Sequence, residues 1–294
     1  MSPQDVASAV QLACLLEASA PKPGNVSPGR PFHDTRYEDF LASAAAIGPA
    51  MQAAGDRPLG ATILDAVEAT RRWSTANTNL GIILLSAPLA RAALDASARP
   101  LRARVRDVLA GATVDDARRV YAAIRLAAPG GLGSASEQDV HAEPTLPLTA
   151  TMALAAERDA VAAEYATAFE RTFTTGAPAV TAALEAGLGW ADATVEAFLT
   201  LLAGHPDTLI VRKLGAAAAE GVRCEAVRVL GAGGVRSAEG RGALAAFDGS
   251  LRDPRNRRNP GTTADLTAAA LLVVILERGW RAGGEVDRLL RADR

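Results

Sequence analysis

The stretch Asn259-Pro260-Gly261-Thr262-Thr263-Ala264-Asp265-Leu266, continuing through Leu271-Leu272-Val273-Val274-Ile275-Leu276 to Arg278, decides the fold class. Its first residues are turn and cap formers, and they open a helix that runs to about Arg278. The apolar run Leu266 to Leu276 has eleven residues, whereas a membrane span needs about 20. So apolar a helix belongs in a protein core. One charge, Asp265, enters its apolar face, and a charge so placed must be paired, hydrogen-bonded or metal-bound.

Outward from this helix the same texture continues. Alanine and leucine dominate, β-branched runs are short, and apolar residues recur at helical spacing from Val6 to Leu16. Further helices are expected from Asp34 or Thr35 to about Ala53, from Leu59 to Trp73, and from Leu80 to Leu94 with a kink or break at Pro88. Others are expected over 101–110, 114–127, 144–173, 179–187, 190–203, 208–219 and 235–250, with Gly176 to Pro178 as a break. The run Val227-Arg228-Val229-Leu230-Gly231-Ala232-Gly233-Gly234 imitates a strand and a dinucleotide loop. The third glycine of that fingerprint would fall at Arg236, and no strand–helix alternation surrounds it, so an ordinary turn is expected. No repeat, linker or composition shift divides the chain. The expectation is an all-α, single-domain multi-helix globular bundle over residues 1–294.

Composition narrows the function classes. A net charge of -2 gives no basic surplus for nucleic acid. No secretory signal or membrane span is visible, so the protein is expected to be cytoplasmic. Cys14 and Cys224 sit in apolar helical patterns, read as small buried hydrophobes. Of 31 basic residues only Lys22 and Lys213 are lysines. Where arginine has replaced lysine almost everywhere, a surviving ammonium does something a planar fork cannot. The asparagines cluster too: Asn25, then Asn77 and Asn79, then Asn256 and Asn259. Turn and cap preference is the competing explanation for each.

Five segments gather this polarity. Pro21-Lys22-Pro23-Gly24-Asn25 fixes a lysine between prolines, with His33-Asp34 and Glu38 downstream. On a helix Asp34 and Glu38 would share a face, as a magnesium site or a solvated face. Asn77-Thr78-Asn79-Leu80-Gly81 opens an apolar helix and offers amide and backbone donors to a phosphate, or simply caps. Pro129 to Gly133, with Asp139 and His141, is a glycine loop near a ligand or a surface loop. Asp207-Thr208 with Arg212 and Lys213 puts an acid at a helix start beside two cations, for a metal–phosphate group or a surface ion pair. Asn259 to Asp265 is the fifth. Together they suggest a Mg²⁺-dependent polyphosphate site without a Walker or kinase motif.

These segments resemble the triphosphoribosyl-dephospho-CoA synthase family. The resemblance rests on Glu17-Ala18-Ser19-Ala20-Pro21-Lys22-Pro23-Gly24-Asn25, His33-Asp34, Asn77 to Gly81, Asp207-Thr208 with Arg212-Lys213, and Asn259 to Leu266. It implies an all-α fold and transfer of the 5-triphosphoribosyl group of ATP, a substrate, to an acceptor hydroxyl, with adenine leaving. Citrate-lyase-type members carry a Thr-His-Lys-Gly-like motif where this chain has Thr78-Asn79-Leu80-Gly81. The glycine-rich stretch from Pro129 to Gly133 looks like an archaeal and methylotroph branch. The acceptor is therefore dephospho-CoA by resemblance, or a pterin–ribitol precursor of tetrahydromethanopterin. A turnover-free ATP-binding regulator and an N-glycosidic hydrolase are readings of other classes.

The resemblance implies roles. His33, Asp34 and Asp265 are catalytic candidates, and Asp34, Glu38, Asp207 and Asp265 are candidates for Mg²⁺. Lys22, Arg212 and Lys213 would meet the triphosphate. Asn25, Asn77, Asn79, Asn259 and Gly261 would orient the nucleotide. Small-molecule nucleotides are the expected partners, with no nucleic acid, no membrane and a possible homodimer.

Overall fold

The computed structural model describes residues 1–280, and these form helices and turns with no strand beyond an isolated bridge between Ser27 and Arg30. Helix α1 (Pro3–Ser19) starts where the sequence tells it to: Ser2 and Asp5 make a reciprocal capping box, and Pro3 occupies a first-turn position that needs no N–H. Then come α2 (Tyr37–Ala46), α3 (Gly48–Gln52), α4 (Leu59–Arg71) and α5 (Leu80–Leu94). Next are α6 (Leu101–Ala110), α7 (Val114–Ala127), α8 (Leu148–Ala155) and α9 (Ala160–Thr167). A π-helical turn, Thr172–Gly176, feeds α10 (Ala177–Glu185). The described residues close with α11 (Trp190–Gly204), α12 (Thr208–Leu214), α13 (Ala216–Gly231), α14 (Ala238–Leu251) and α15 (Gly261–Arg278).

Helix α15 is the axis. Thr262 to Ala264 and Leu266 to Ile275 are buried, and it packs on α1, α5, α10 and α11. Two buried apolar clusters meet along it. One gathers side chains of α1, α4, α5, α7 and most of α15; the other gathers α11, α13 and α14 with Ala264. Helix α11 also feeds both, through Ala197 and Leu201 on one side and Val195, Phe198 and Leu202 on the other.

Several expected boundaries are corrected. The helix expected from residue 34 or 35 begins at Tyr37 and divides at Ile47, because Pro49 can only sit in the first turn of a new helix. The long helix expected over 144–173 is interrupted at 156–159 and again at Ala168 and Phe169, which have left-handed backbone. Gly176 and Pro178 do not break the chain's helical course. Pro178 falls in the first turn of α10, and a methyl on Gly176 would lie 2.7 Å from Ala270 Cβ, so glycine is there to let α15 approach. The expected 208–219 helix stops at Leu214, where Gly215 turns with φ +89°. The Val227–Gly231 run is the end of α13, not a strand. Cys14 is buried as expected, but Cys224 is exposed, beside Glu220 and Arg223.

Pro88 neither ends nor splits α5. It lacks the N–H that would bond Leu84 O four residues back, and the Tyr165 hydroxyl donates to that carbonyl instead, at 2.7 Å. Tyr165 is 1% exposed, so no water can substitute. Tyr165→Phe is therefore expected to cost about 1–3 kcal/mol, the penalty for an orphaned buried acceptor, measured by urea denaturation. Pro88→Ala in the same background should restore part of the loss by supplying the missing N–H.

Candidate active site

The candidate segments converge on the start of α15. Asp207 joins two helices there. One carboxylate oxygen accepts from Leu209 N at 2.9 Å and Ile210 N at 3.1 Å, capping α12. The other accepts from Thr263 N and Thr263 Oγ1, both at 2.7 Å, pinning α15. Those four donors fill the capacity of a carboxylate. Burial raises its affinity for a proton while these bonds oppose that shift. Asp207 thus acts as a shared cap, and the expectation that it ligates a metal is corrected by this saturation.

Lys22 is also placed otherwise than expected. Its ammonium is fully buried against the Glu17 carboxylate at 2.9 Å. It also donates to the Glu17 carbonyl and, at 3.3 Å, to the Ala20 carbonyl. Both carbonyls belong to the C-terminal end of α1, where a cation completes the helix. One compact ammonium reaching three acceptors is the physical reason for lysine here, since a planar guanidinium cannot turn to all three. In this arrangement the charge is committed to Glu17 and not to a phosphate.

Asp265 is different. It is half-buried at the first turns of α15, and no hydrogen-bond donor or cation contacts its oxygens among the described residues. Burial, and then the charges of Glu17, Asp207 and Asp159, hold its carboxyl well above the usual carboxylate range, against the opposing pull of Arg212. Its carboxylate lies against the opening of α5: a methyl on Gly81 would come within 2.1 Å of Asp265 Oδ2. Only glycine admits the carboxylate to that place. Two residues earlier Asn79 is buried, and its Nδ2 has no partner.

Arg212 reaches across to Asp159 at 2.5 Å, while its Nε is buried and unpartnered. Asp159 caps α9 through Val161 N and Ala162 N. Lys213 is exposed and lies within electrostatic reach of Asp34, Asp207 and Asp253; burial of its stem and the neighbouring Arg212 draw its pKa down. The glycine loop joins here as well, Gly130 facing Lys213 Cε and Gly131 facing the Arg212 side chain. Asn259 has a buried, unpartnered Oδ1, and its amide lies beside Gly261. Buried polar atoms are seldom left unpaired without a reason. Three such atoms, on Asn79, Arg212 and Asn259, lie on segments that meet at one helix start, which makes that place the candidate ligand cradle.

Of the other expected residues, Asp34 lies within electrostatic reach of Lys213, and the rest make local contacts or stand apart. Asn77 is exposed and its Oδ1 accepts from Leu80 N at 3.2 Å, a capping role. Asn25 is buried, donates to Pro23 O at 3.2 Å, and its own carbonyl accepts from Arg252. His33 and Asp34 are exposed as a pair, Nε2 to Oδ2 3.6 Å, and His33 Nδ1 meets Asn256 Nδ2 at 3.0 Å. Asp34 precedes α2 while exposed Glu38 lies in its first turn, so they do not share a helix face. Among the described residues no three acidic, histidine or cysteine side chains group closely enough to hold a metal ion by themselves.

Sequence reasoning missed three carboxylates. Glu17 was visible as the charge interrupting α1, but its partner was not. Asp159 reads as one more surface acid until α9 is seen to begin there. Asp248, buried in α14, accepts from Gly24 N at 2.8 Å and pairs with Arg30 and Arg252, so it shapes the Pro21–Asn25 turn from 224 residues away. No local signal marks such a contact.

Comparison with known proteins bears on the family. The family model described as CitG, ATP:dephospho-CoA triphosphoribosyl transferase, matches residues 3–284. A curated protein of Stutzerimonas stutzeri, described as a 2-(5''-triphosphoribosyl)-3'-dephosphocoenzyme-A synthase, is 34% identical over 98 residues, which is 33% of each chain. A crystal structure described as a triphosphoribosyl-dephospho-CoA synthase, from Archaeoglobus fulgidus, superposes with a TM-score of 0.63 at 28% identity, over 82% of this chain and all of that one. With the family match running from α1 through α15 and the fold shared, the chain belongs to the ATP:dephospho-CoA triphosphoribosyl transferase family.

Proposed function

We propose that the protein transfers the 5-triphosphoribosyl group of ATP to a hydroxyl of dephospho-CoA. The observation that carries this reading is the Asp265 carboxylate, unpartnered among the described residues, set among other acids and against the segment whose Asn79 amide is orphaned. The curated relative's match spans about a third of its length, so the acceptor comes from the family description and is tested as such. Both descriptions name dephospho-CoA, and the pterin, regulator and hydrolase readings gain nothing from them.

In the transfer the ribose C1'–N9 bond of ATP breaks and a C1'–O bond forms. N9 keeps the electron pair and adenine gains a proton, while the acceptor hydroxyl loses one. The open side of the cradle provides for both ends. Lys213 and Arg212 face the triphosphate, Asn79 Nδ2 donates to one of its oxygens, and Asn259 Oδ1 accepts from a ribose hydroxyl. The exposed His33–Asp34 pair handles the protons, the carboxylate as base and the imidazole as donor. Negative charge from Asp265 favours the cationic character that develops at C1'.

A magnesium ion fits this donor set. Asp207 is saturated and Glu17 is paired with Lys22, so Asp265 is the carboxylate left to hold one. Magnesium is commonly held by one or two carboxylates together with substrate phosphates, and not by an all-protein cage. Bound there it would neutralise the triphosphate. Incubation with ATP and Mg²⁺ should release adenine only when dephospho-CoA is added, and a chelator should stop it. Adenine release without acceptor would favour the hydrolase; none under any condition would leave a binding protein.

A further inference from the structure

Between α13 and α14 lies a cavity of about 350 Å³, within the roughly 300–1,000 Å³ range of small-molecule sites. Its floor is apolar, made by Val222, Phe247 and Leu251, and its edge carries Ser250, Arg228 and Arg258. None of these residues belongs to the cradle at α15, yet two of them adjoin it. Leu251 also packs against Gly24, where a methyl would lie 2.9 Å from its Cβ, and Pro260 closes the same contact at 3.1 Å. Arg258 directly precedes Asn259. The cavity thus adjoins the turn that leads into α15.

The charge at the edge is uneven. Arg228 is neutralised by Glu225 at 2.8 Å. Arg258 donates to Ser250 O at 3.1 Å and pairs with no carboxylate among the described residues. An apolar floor with the uncompensated Arg258 guanidinium at its mouth suits a phosphate ester carrying an extended arm of mixed apolar and amide character.

We propose that this cavity holds the phosphopantetheine arm of the acceptor, with Arg258 on its diphosphate. The inference rests on dephospho-CoA being the acceptor. In that molecule the diphosphate leaves the same ribose that carries the reacting hydroxyl, so the arm must pass directly out of the reaction centre. The Gly24–Leu251–Pro260 wall is where the cradle and the cavity adjoin. Glu225 and Ser250 offer the arm's amides hydrogen-bonding partners at the edge.

The test uses the full chain and 4'-phosphopantetheine as the probe in calorimetry, together with the KM for each substrate. Ala246 is exposed on α14 and lines the cavity, so Ala246→Trp fills it from outside the core. Arg258→Glu reverses the charge at its mouth. Wild type should bind 4'-phosphopantetheine. Each variant should weaken that binding and raise the KM for dephospho-CoA at least tenfold, with the KM for ATP and the thermal midpoint unchanged. Absence of binding to wild type, or equal binding by Ala246→Trp, overturns the assignment. If wild type binds the probe and Ala246→Trp does not, while dephospho-CoA fails to promote adenine release, the cavity assignment stands and the transfer reading falls.

Discussion

Replacing Asp265 with asparagine will abolish adenine release while making the free protein more stable at neutral pH. Both halves follow from one fact: this carboxylate sits among Glu17, Asp207 and Asp159 without a partner of its own. Asparagine keeps the shape that fits against Gly81 and removes the charge. Turnover should fall by at least ~10³-fold, in the range seen when a preorganised electrostatic group is lost. Excess Mg²⁺ should not restore it. The stability half has a definite pH signature. The folded carboxyl binds its proton more tightly than the unfolded one, so unfolding releases a proton and stability falls as pH rises. The loss begins at the ordinary carboxylate range and is complete once pH exceeds the raised value. Asp265→Asn lacks that loss, so its thermal midpoint should match wild type in acid and exceed it at neutral pH. Full activity in the variant, or equal stability at every pH, would remove Asp265 from this role.

Lys22→Met will destabilise the fold by about 3–5 kcal/mol, the cost of leaving one member of a buried ion pair alone. The stranded Glu17 carboxylate would then face Asp265 with nothing to balance it. Urea denaturation gives the magnitude, and the double variant Glu17→Gln, Lys22→Met should recover most of it. Lys22→Arg should not rescue, because the fork cannot serve Glu17 and the two carbonyls together. The alternative, that Lys22 binds the triphosphate directly, predicts a stable Lys22→Met protein with a raised KM for ATP. The two outcomes are readily told apart.

The helical class and the importance of α15 were legible because a buried helix writes its own periodicity and caps into neighbouring residues. Boundaries failed where tertiary contacts overrode local preference. Pro88 stays inside α5 because Tyr165, far along the chain, satisfies Leu84 O. Gly176 is a packing glycine and not a breaker because Ala270 lies against it. At the site, unusual residue types pointed to segments that the fold brings together, but not to the contacts each side chain makes. The scarcity of lysine singled out Lys22, and its partner is the Glu17 side chain within the fold. Asp207 drew notice both as a cap and as an acid, and the four donors around it decide for the cap. Asp265 was marked by a charge in an apolar face, and the structure leaves that charge unpaired. Asp248 carried no mark, because its meaning depends wholly on Gly24 and Arg30 being folded onto it.

The central claim is that this cradle moves a triphosphoribosyl group to dephospho-CoA. The most direct test supplies ATP labelled with ¹³C in its ribose, Mg²⁺ and dephospho-CoA, and follows the label by mass spectrometry while adenine is quantified. The expected result is labelled triphosphoribosyl-dephospho-CoA in equal amount to free adenine. Label recovered in free ribose triphosphate, or in ADP or AMP, would contradict it.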